Sequence, residues 1–207
     1  LAALVLLFYL AKHYSTNAIN RMLMATALPF AYCQPFIPES GKKFPPELFT
    51  GRTAELEKIK SPNGANLIYG GRQLGKSALL NMARKEIDGN SQGHRAVVVD
   101  VFHLEYPQAA RKVSQSLVDE GILDESCECD DWSVLTRHIK RRLMDEENPI
   151  NYLLLMLDEG DIFIQSCSAI KYQPISELKE IQSSKFKFVI AGTHNLIRFN
   201  REEVLSK

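Results

Sequence analysis

One octapeptide constrains this chain more than anything else in it. Gly70-Gly71-Arg72-Gln73-Leu74-Gly75-Lys76-Ser77 satisfies G-x-x-x-x-G-K-[ST] at every fixed position. With glycine near ~7% of average usage, chance places such a match in roughly one per cent or fewer of chains this long. Its context is the one the mechanism needs: an apolar strand segment ending at Tyr69 before it, and a helix with Leu79, Leu80, Ala83 and Ile87 at helical spacing after it. Glycines let backbone N–H groups turn inward around phosphate oxygens, and the helix N-terminus adds its partial positive charge. The candidate nucleotide-binding segment is therefore Gly70, Gly71, Arg72, Gln73, Leu74, Gly75, Lys76, Ser77 and Ala78. Arg72 and Gln73 are variable loop positions whose side chains are assigned no chemistry. Lys76 reaches the β- and γ-phosphates, and the Ser77 hydroxyl ligates Mg²⁺. A glycine-rich turn without a ligand is the plain alternative, and the flanking strand and helix weigh against it.

The remaining pattern agrees with a fold that positions such a loop. Ala96-Val-Val-Val-Asp-Val-Phe102 and Tyr152-Leu-Leu-Leu-Met-Leu157 are continuous apolar runs, as expected of strands covered on both faces. Phe186-Lys-Phe-Val-Ile-Ala191 is a fourth strand, after the short one at Ala65-Asn-Leu-Ile-Tyr69. Between them, Ala109, Val113 and Leu117 mark a helix ending near Gly121. Asp131 caps another that carries Trp132, Leu135, Ile139 and Leu143. Strands separated by helices pair in parallel through right-handed crossovers, which makes the class α/β. The 207 residues hold 25 basic and 25 acidic side chains, so the broad basic field of a dedicated nucleic-acid binder is absent.

Residues 1–28 carry only Lys12 and Arg21 as charges and read as an apolar helical segment. The opening apolar run of eleven residues is too short to cross a bilayer and lacks the basic lead of a signal peptide. It reads as a helix buried against another surface, with a truncated membrane helix as the alternative. Residues 29–47 hold five of the nine prolines and read as an extended linker. Residues 48–207 form the α/β core. Four cysteines are too few for a disulfide scaffold. Cys127 and Cys129, with His138 as the nearest further ligand, read as reduced thiols of a cytoplasmic protein and not as a zinc site.

Asp158 and Glu159 follow the third strand at the sheet edge where ligands of open α/β sheets bind. Asp158 fits the Mg²⁺ partner, and Glu159 the base that deprotonates an attacking water. Asp161 reads either as support for that site or as a cap for the next segment. After the fourth strand, Thr193 and Asn195 are candidates to sense the γ-phosphate. Asn195 equally fits an N-cap before Leu196, and both readings stand. His194 reads as a packing or surface histidine. Ahead of the loop, Thr53 caps a helix through Leu56 and Ile59, and the backbone from Phe49 to Gly51, with Arg52, lies against the base. No Asn-Lys-x-Asp motif follows a late strand, which favours adenine over guanine.

Phe49-Thr-Gly-Arg52, the Walker A loop, Asp158-Glu159 after the third strand and Gly192-Thr-His-Asn195 resemble the AAA-like, STAND-type signalling ATPases of prokaryotes. These are relatives of the origin-recognition and Cdc6-like AAA+ proteins. The resemblance spans about three quarters of the chain. It implies a P-loop NTPase of the additional-strand catalytic-glutamate branch, with sheet order 5-1-4-3-2, and it implies ATP with Mg²⁺ as cofactors. It also implies a switch between ADP-bound closed and ATP-bound homo-oligomeric states, with a protein or nucleic-acid trigger sensed through other regions. The fifth strand, the helical lid and a second sensor arginine are not found in the sequence, and Thr193-His194 stands where Thr-Arg is expected. The expected function is an ATP-binding, slowly hydrolysing signalling or defence switch in the cytoplasm. The alternatives are an AAA+ ATPase acting on DNA and a nucleotide-binding scaffold without hydrolysis. Arg141, Arg142 and Arg198 are arginine-finger candidates only as exposed bases.

Overall fold

The structure, a computed structural model, describes Phe49, residues 51–64, 66–90, 93–145 and 149–193, and Leu196. The apolar segment and the linker lie outside the described residues, as do His194, Asn195 and Arg198.

Two strands supply the centre. β3 (Tyr152–Asp158) and β4 (Phe186–Gly192) are buried at every position. Full burial explains why they read as unbroken apolar runs and not as alternating ones. With β1 (Leu67–Tyr69) and β2 (His94–Asp100) they form a parallel sheet in the order β1-β4-β3-β2. Leu67 pairs with Ile190, Leu155 with Phe188, and Val97 with Leu155. This is the expected 5-1-4-3-2 order over the strands described.

Successive strand residues face opposite ways, so each strand feeds two cores. Leu153, Leu155, Leu157, Phe186, Phe188 and Ile190 face α3 (Tyr106–Asp119), α4 (Trp132–Met144), α5 (Asp161–Cys167) and α6 (Gln173–Glu180). Leu154, Met156, Val189 and Ala191 face α1 (Thr53–Lys60) and α2 (Lys76–Asn90). Helix ends follow local chemistry. Asp131 caps α4 as expected, accepting from the Ser133 and Val134 N–H groups at 2.7 and 3.3 Å. α3 stops at a left-handed Gly121 (φ 67°).

α1 ends because Pro62 has no N–H for the Lys58 carbonyl four residues earlier. The amine of Lys187 supplies the missing donor at 2.8 Å, reaching across from β4. The Tyr152 hydroxyl does the same for the Lys60 carbonyl at 3.3 Å. Gly64 closes this corner: a Cβ there would meet the Lys58 carbonyl oxygen at 1.7 Å.

Three boundaries differ from expectation. β2 begins at His94 and ends at Asp100, so Asp100 sits at the carboxyl edge. The residue at the N-cap of α1 is Arg52 and not Thr53, and its side chain makes no cap hydrogen bond but turns to the phosphate loop. α5 and α6, between β3 and β4, are helices that the apolar spacing does not single out.

Candidate functional site

The phosphate loop joins β1 to α2, and Lys76 is the first residue of that helix. Gln73 (φ 60°) and Gly75 (φ 72°) take left-handed backbone conformations, which suits glycine at the second of these. The loop is held from within by Lys76, only 6% exposed, whose amine donates to the Gly71 carbonyl at 3.0 Å and the Gly70 carbonyl at 3.3 Å. Outside it, the Arg52 guanidinium donates to the Leu74 carbonyl at 2.9 Å and the Gly75 carbonyl at 3.4 Å. The Gly70 N–H donates to the Gly192 carbonyl at 3.2 Å, which ties the start of the loop to the end of β4. Arg52, expected with Gly51 beside the base, thus reaches the loop, where its side chain acts as a brace on two carbonyls. The side chains of Arg72, Gln73 and Leu74 are exposed.

The carboxyl edge of the sheet carries the acids. Asp158 ends β3 and is 7% exposed, and its Oδ1 accepts from the Glu159 N–H at 3.0 Å. Glu159 is itself left-handed (φ 54°), an uncommon state for a residue with a side chain. Asp161 neither caps α5 by its side chain nor faces outward. Its carboxylate accepts from the Thr193 N–H at 3.1 and 2.9 Å, and also from the Thr193 hydroxyl. The hydroxyl expected to watch the γ-phosphate is therefore used to tie the end of β4 to the start of α5.

Asp100 escaped the sequence reading. It stands in register with Asp158 on the neighbouring strand, and its Oδ1 accepts from the Phe102 N–H at 2.9 Å. The signal was present, since β2 and β3 both end in aspartate after an apolar run, but Asp100 was absorbed into a longer expected strand.

Ser77, on the first turn of α2, and Asp158 are the residues that can hold Mg²⁺. No three His, Cys, Asp or Glu side chains among the described residues converge on a metal site. A magnesium ion of the phosphate type binds one or two protein groups and takes the rest from phosphate and water. Cys127 Sγ lies 3.3 Å from His138 Nδ1, but this pair gathers no third ligand. Cys127, Cys129 and Cys167 are free thiols. Of the arginine-finger candidates, Arg142 is engaged with the Ile122 carbonyl at 3.1 Å and with Asp145 at 3.8 Å, whereas Arg141 is exposed. A cavity of about 370 Å³ lies at the opposite, amino edge of the sheet beside Lys60, Glu86, His94 and Tyr152, and no residue of the phosphate loop lines it.

A glycine loop between the first strand and a helix, an acidic pair after β3, and β4 inserted between β1 and β3 make this a P-loop NTPase fold of the additional-strand kind. No protein-family model matches the chain. No curated protein matches it either. Among solved structures it is similar to Cdc6p from Pyrobaculum aerophilum, at 16% sequence identity and a TM-score of 0.49, over 77% of this chain and 43% of that one. The chain thus spans less than half the length of that protein's chain. No helix among the described residues is long and apolar enough to cross a membrane.

Proposed function

We propose that this chain is an ATP-binding, slowly hydrolysing molecular switch of the STAND-like signalling or defence kind. The observation that carries the proposal is the Lys76 amine resting on the Gly70 and Gly71 carbonyls, in a loop flanked by the acidic end of β3. These two acceptors are neutral, and a phosphate oxygen offers the same amine a full charge, which makes a stronger hydrogen bond. The loop N–H groups and the start of α2 then face the phosphates. Ser77 and Asp158 would hold a Mg²⁺ ion, which would supply charge neutralisation for the phosphates. Glu159 accepts the proton of the attacking water, and the γ-phosphate leaves as inorganic phosphate. Gly51 and Arg52 lie against the adenine in this reading. Asn195 keeps its expected role as γ-phosphate sensor. Self-association in the ATP state and a cytoplasmic setting belong to the same reading.

The decisive measurement pairs binding with turnover. Glu159→Gln keeps the side-chain size and removes the charge. ATP affinity should persist while steady-state phosphate release falls by ~10²-fold or more. Unchanged turnover means that the base is elsewhere. Wild-type protein that binds ATP and never turns it over leaves a nucleotide-binding scaffold.

A further inference from the structure

A thiol and an imidazole that the nucleotide site does not use meet between α3 and α4. Cys127 closes the short 3-10 turn Glu125–Cys127, and its Sγ lies 3.3 Å from Nδ1 of His138 on α4. Both residues are half-buried. The segment that carries the thiol is held at several points. The Cys127 N–H donates to the Asp124 carbonyl at 2.8 Å within the turn. Arg142, one helical turn beyond His138, donates to the Ile122 carbonyl at 3.1 Å. The Ser114 hydroxyl of α3 donates to the Cys129 carbonyl at 2.9 Å and accepts from the Cys129 N–H at 3.1 Å.

A second thiol follows after one residue. Two residues of chain keep the Cys127 and Cys129 Cα atoms within about 7 Å, the reach of a disulfide. The two thiols differ in their surroundings. Burial pushes the Cys129 thiol up, and the charges of Asp131, Asp130 and Cys127 push it the same way. Its S–H rests on the Asp131 carbonyl at 3.6 Å. Cys129 therefore keeps its proton, while Cys127 has an imidazole at hand to take one. Cys167, 0% exposed and pushed by burial to about 12, is shielded from solutes.

We propose that Cys127 is a peroxide-reactive thiol, with His138 as its base and Cys129 as the resolving thiol, and that the product is a reversible Cys127–Cys129 disulfide. His138 takes the Cys127 proton. The thiolate attacks one oxygen of hydrogen peroxide and the O–O bond breaks. The leaving hydroxide recovers the proton from His138 and departs as water, and Cys127 is left as a sulfenic acid. The Cys129 sulfur then displaces the sulfenic hydroxyl, which leaves as water with the Cys129 proton. Two thiols lose two electrons in all, and one peroxide becomes two waters. Asp124, Glu125, Glu128, Asp130 and Asp131 surround the thiols in the chain and are exposed, Asp130 being paired with Arg111 at 3.0 Å. Such a field repels an anionic oxidant such as glutathione disulfide and admits a neutral hydroperoxide. The same acids favour the imidazolium and disfavour the thiolate, so their effects on the pair offset. The reaction uses no residue of the nucleotide site and stands whether or not the chain hydrolyses ATP.

Timed exposure of the reduced full chain to hydrogen peroxide, followed by peptide mass spectrometry, tests this. The peptide that holds Cys127 and Cys129 should lose two hydrogens and regain them with dithiothreitol. Cys129→Ser should stop at a sulfenic acid on Cys127, trapped by dimedone. His138→Asn should slow the oxidation of Cys127 by about tenfold or more. One comparison needs no variant, because His138 is half-buried and its replacement perturbs packing. Folded wild type should oxidise at Cys127 about tenfold faster than the same chain unfolded in urea, although folding covers the residue. Glutathione disulfide should gain no such advantage from folding. Oxidation of Cys127 that is equal or slower in the folded chain overturns the proposal. So does a folded His138→Asn protein that reacts as fast as wild type, or a product that dithiothreitol does not reverse. An advantage seen with glutathione disulfide and not with peroxide overturns the choice of oxidant.

Discussion

Two lysine amines are buried in this molecule in nearly the same way. Lys76 is 6% exposed and Lys187 is 0% exposed, and each donates to two backbone carbonyls. The difference lies in what the acceptors have otherwise. Lys187 serves the Lys58 carbonyl, whose normal helical partner is the missing N–H of Pro62, within a corner closed by Gly64. Lys76 serves Gly70 and Gly71 in a loop at the open edge of the sheet, where phosphate or water can take part. One amine completes the backbone; the other, in the proposed reading, is kept for phosphate. Burial of a charge therefore marks a binding group only where its partners can be exchanged.

The largest expected effect falls on the structural member of this pair. Lys187→Ala leaves the Lys58 carbonyl without a donor and opens a void beside α1. Unfolding in urea should show a loss of about 3 kcal/mol, combining an unsatisfied buried acceptor with a cavity. Lys187→Met keeps most of the volume and removes a costly buried ammonium, so it should lose less. Folded Lys187→Ala protein should still bind ATP close to wild-type affinity. A stability change under about 1 kcal/mol breaks the comparison, because it makes the two lysines equally dispensable to the fold.

The smaller effect, on the other lysine, should appear in binding and not in stability. Lys76→Ala should weaken ATP at least tenfold, about 1.4 kcal/mol, by calorimetry. Its urea midpoint should move less than that of Lys187→Ala, since one of its two acceptors, the Gly71 carbonyl, is only part-buried. Equal affinities sink the assignment of Lys76 to phosphate.

The contrast also explains what could be read ahead of the structure. The loop, Asp158 and Glu159 were legible because their chemistry demands fixed spacing and fixed places on strands. The sheet was legible because β3 and β4 are covered on both faces and their composition says so. The role of Lys187 was not, because a lone lysine in a strand reads as a solvent-facing residue. Its two clues, an otherwise apolar strand and a proline four residues after Lys58, are 125 residues apart in the chain and meet only through the fold. The Asp161–Thr193 tie was hidden for the same reason. In the sequence Thr193 reads against the nucleotide and Asp161 as site support or helix cap, and neither points to the other.

The smallest expected effect is a pH dependence that isolates the buried amine of Lys187. Burial pulls its pKa down from 10.5 to about 8. Between these values the unfolded chain keeps the proton that the folded one has lost. The unfolded state then binds more protons, so the contribution of Lys187 to stability rises with pH through that window. Below pH 8 both states are charged and the burial penalty is present in full. Two other groups act with the opposite sign. Burial pushes Cys167 up from 9.0 to about 12 and Tyr152 up from 10.0 to about 12. Each ionises first in the unfolded chain, so their contributions fall as pH rises, from about pH 9 for the thiol and pH 10 for the phenol. A wild-type curve alone mixes these trends. The stability difference between wild type and Lys187→Met cancels the thiol and the phenol. That difference should shift by about 1 kcal/mol in favour of wild type between pH 7 and pH 9, read from urea midpoints at constant ionic strength. A flat difference means that the amine is not desolvated as described, and a shift toward the variant reverses the assigned direction.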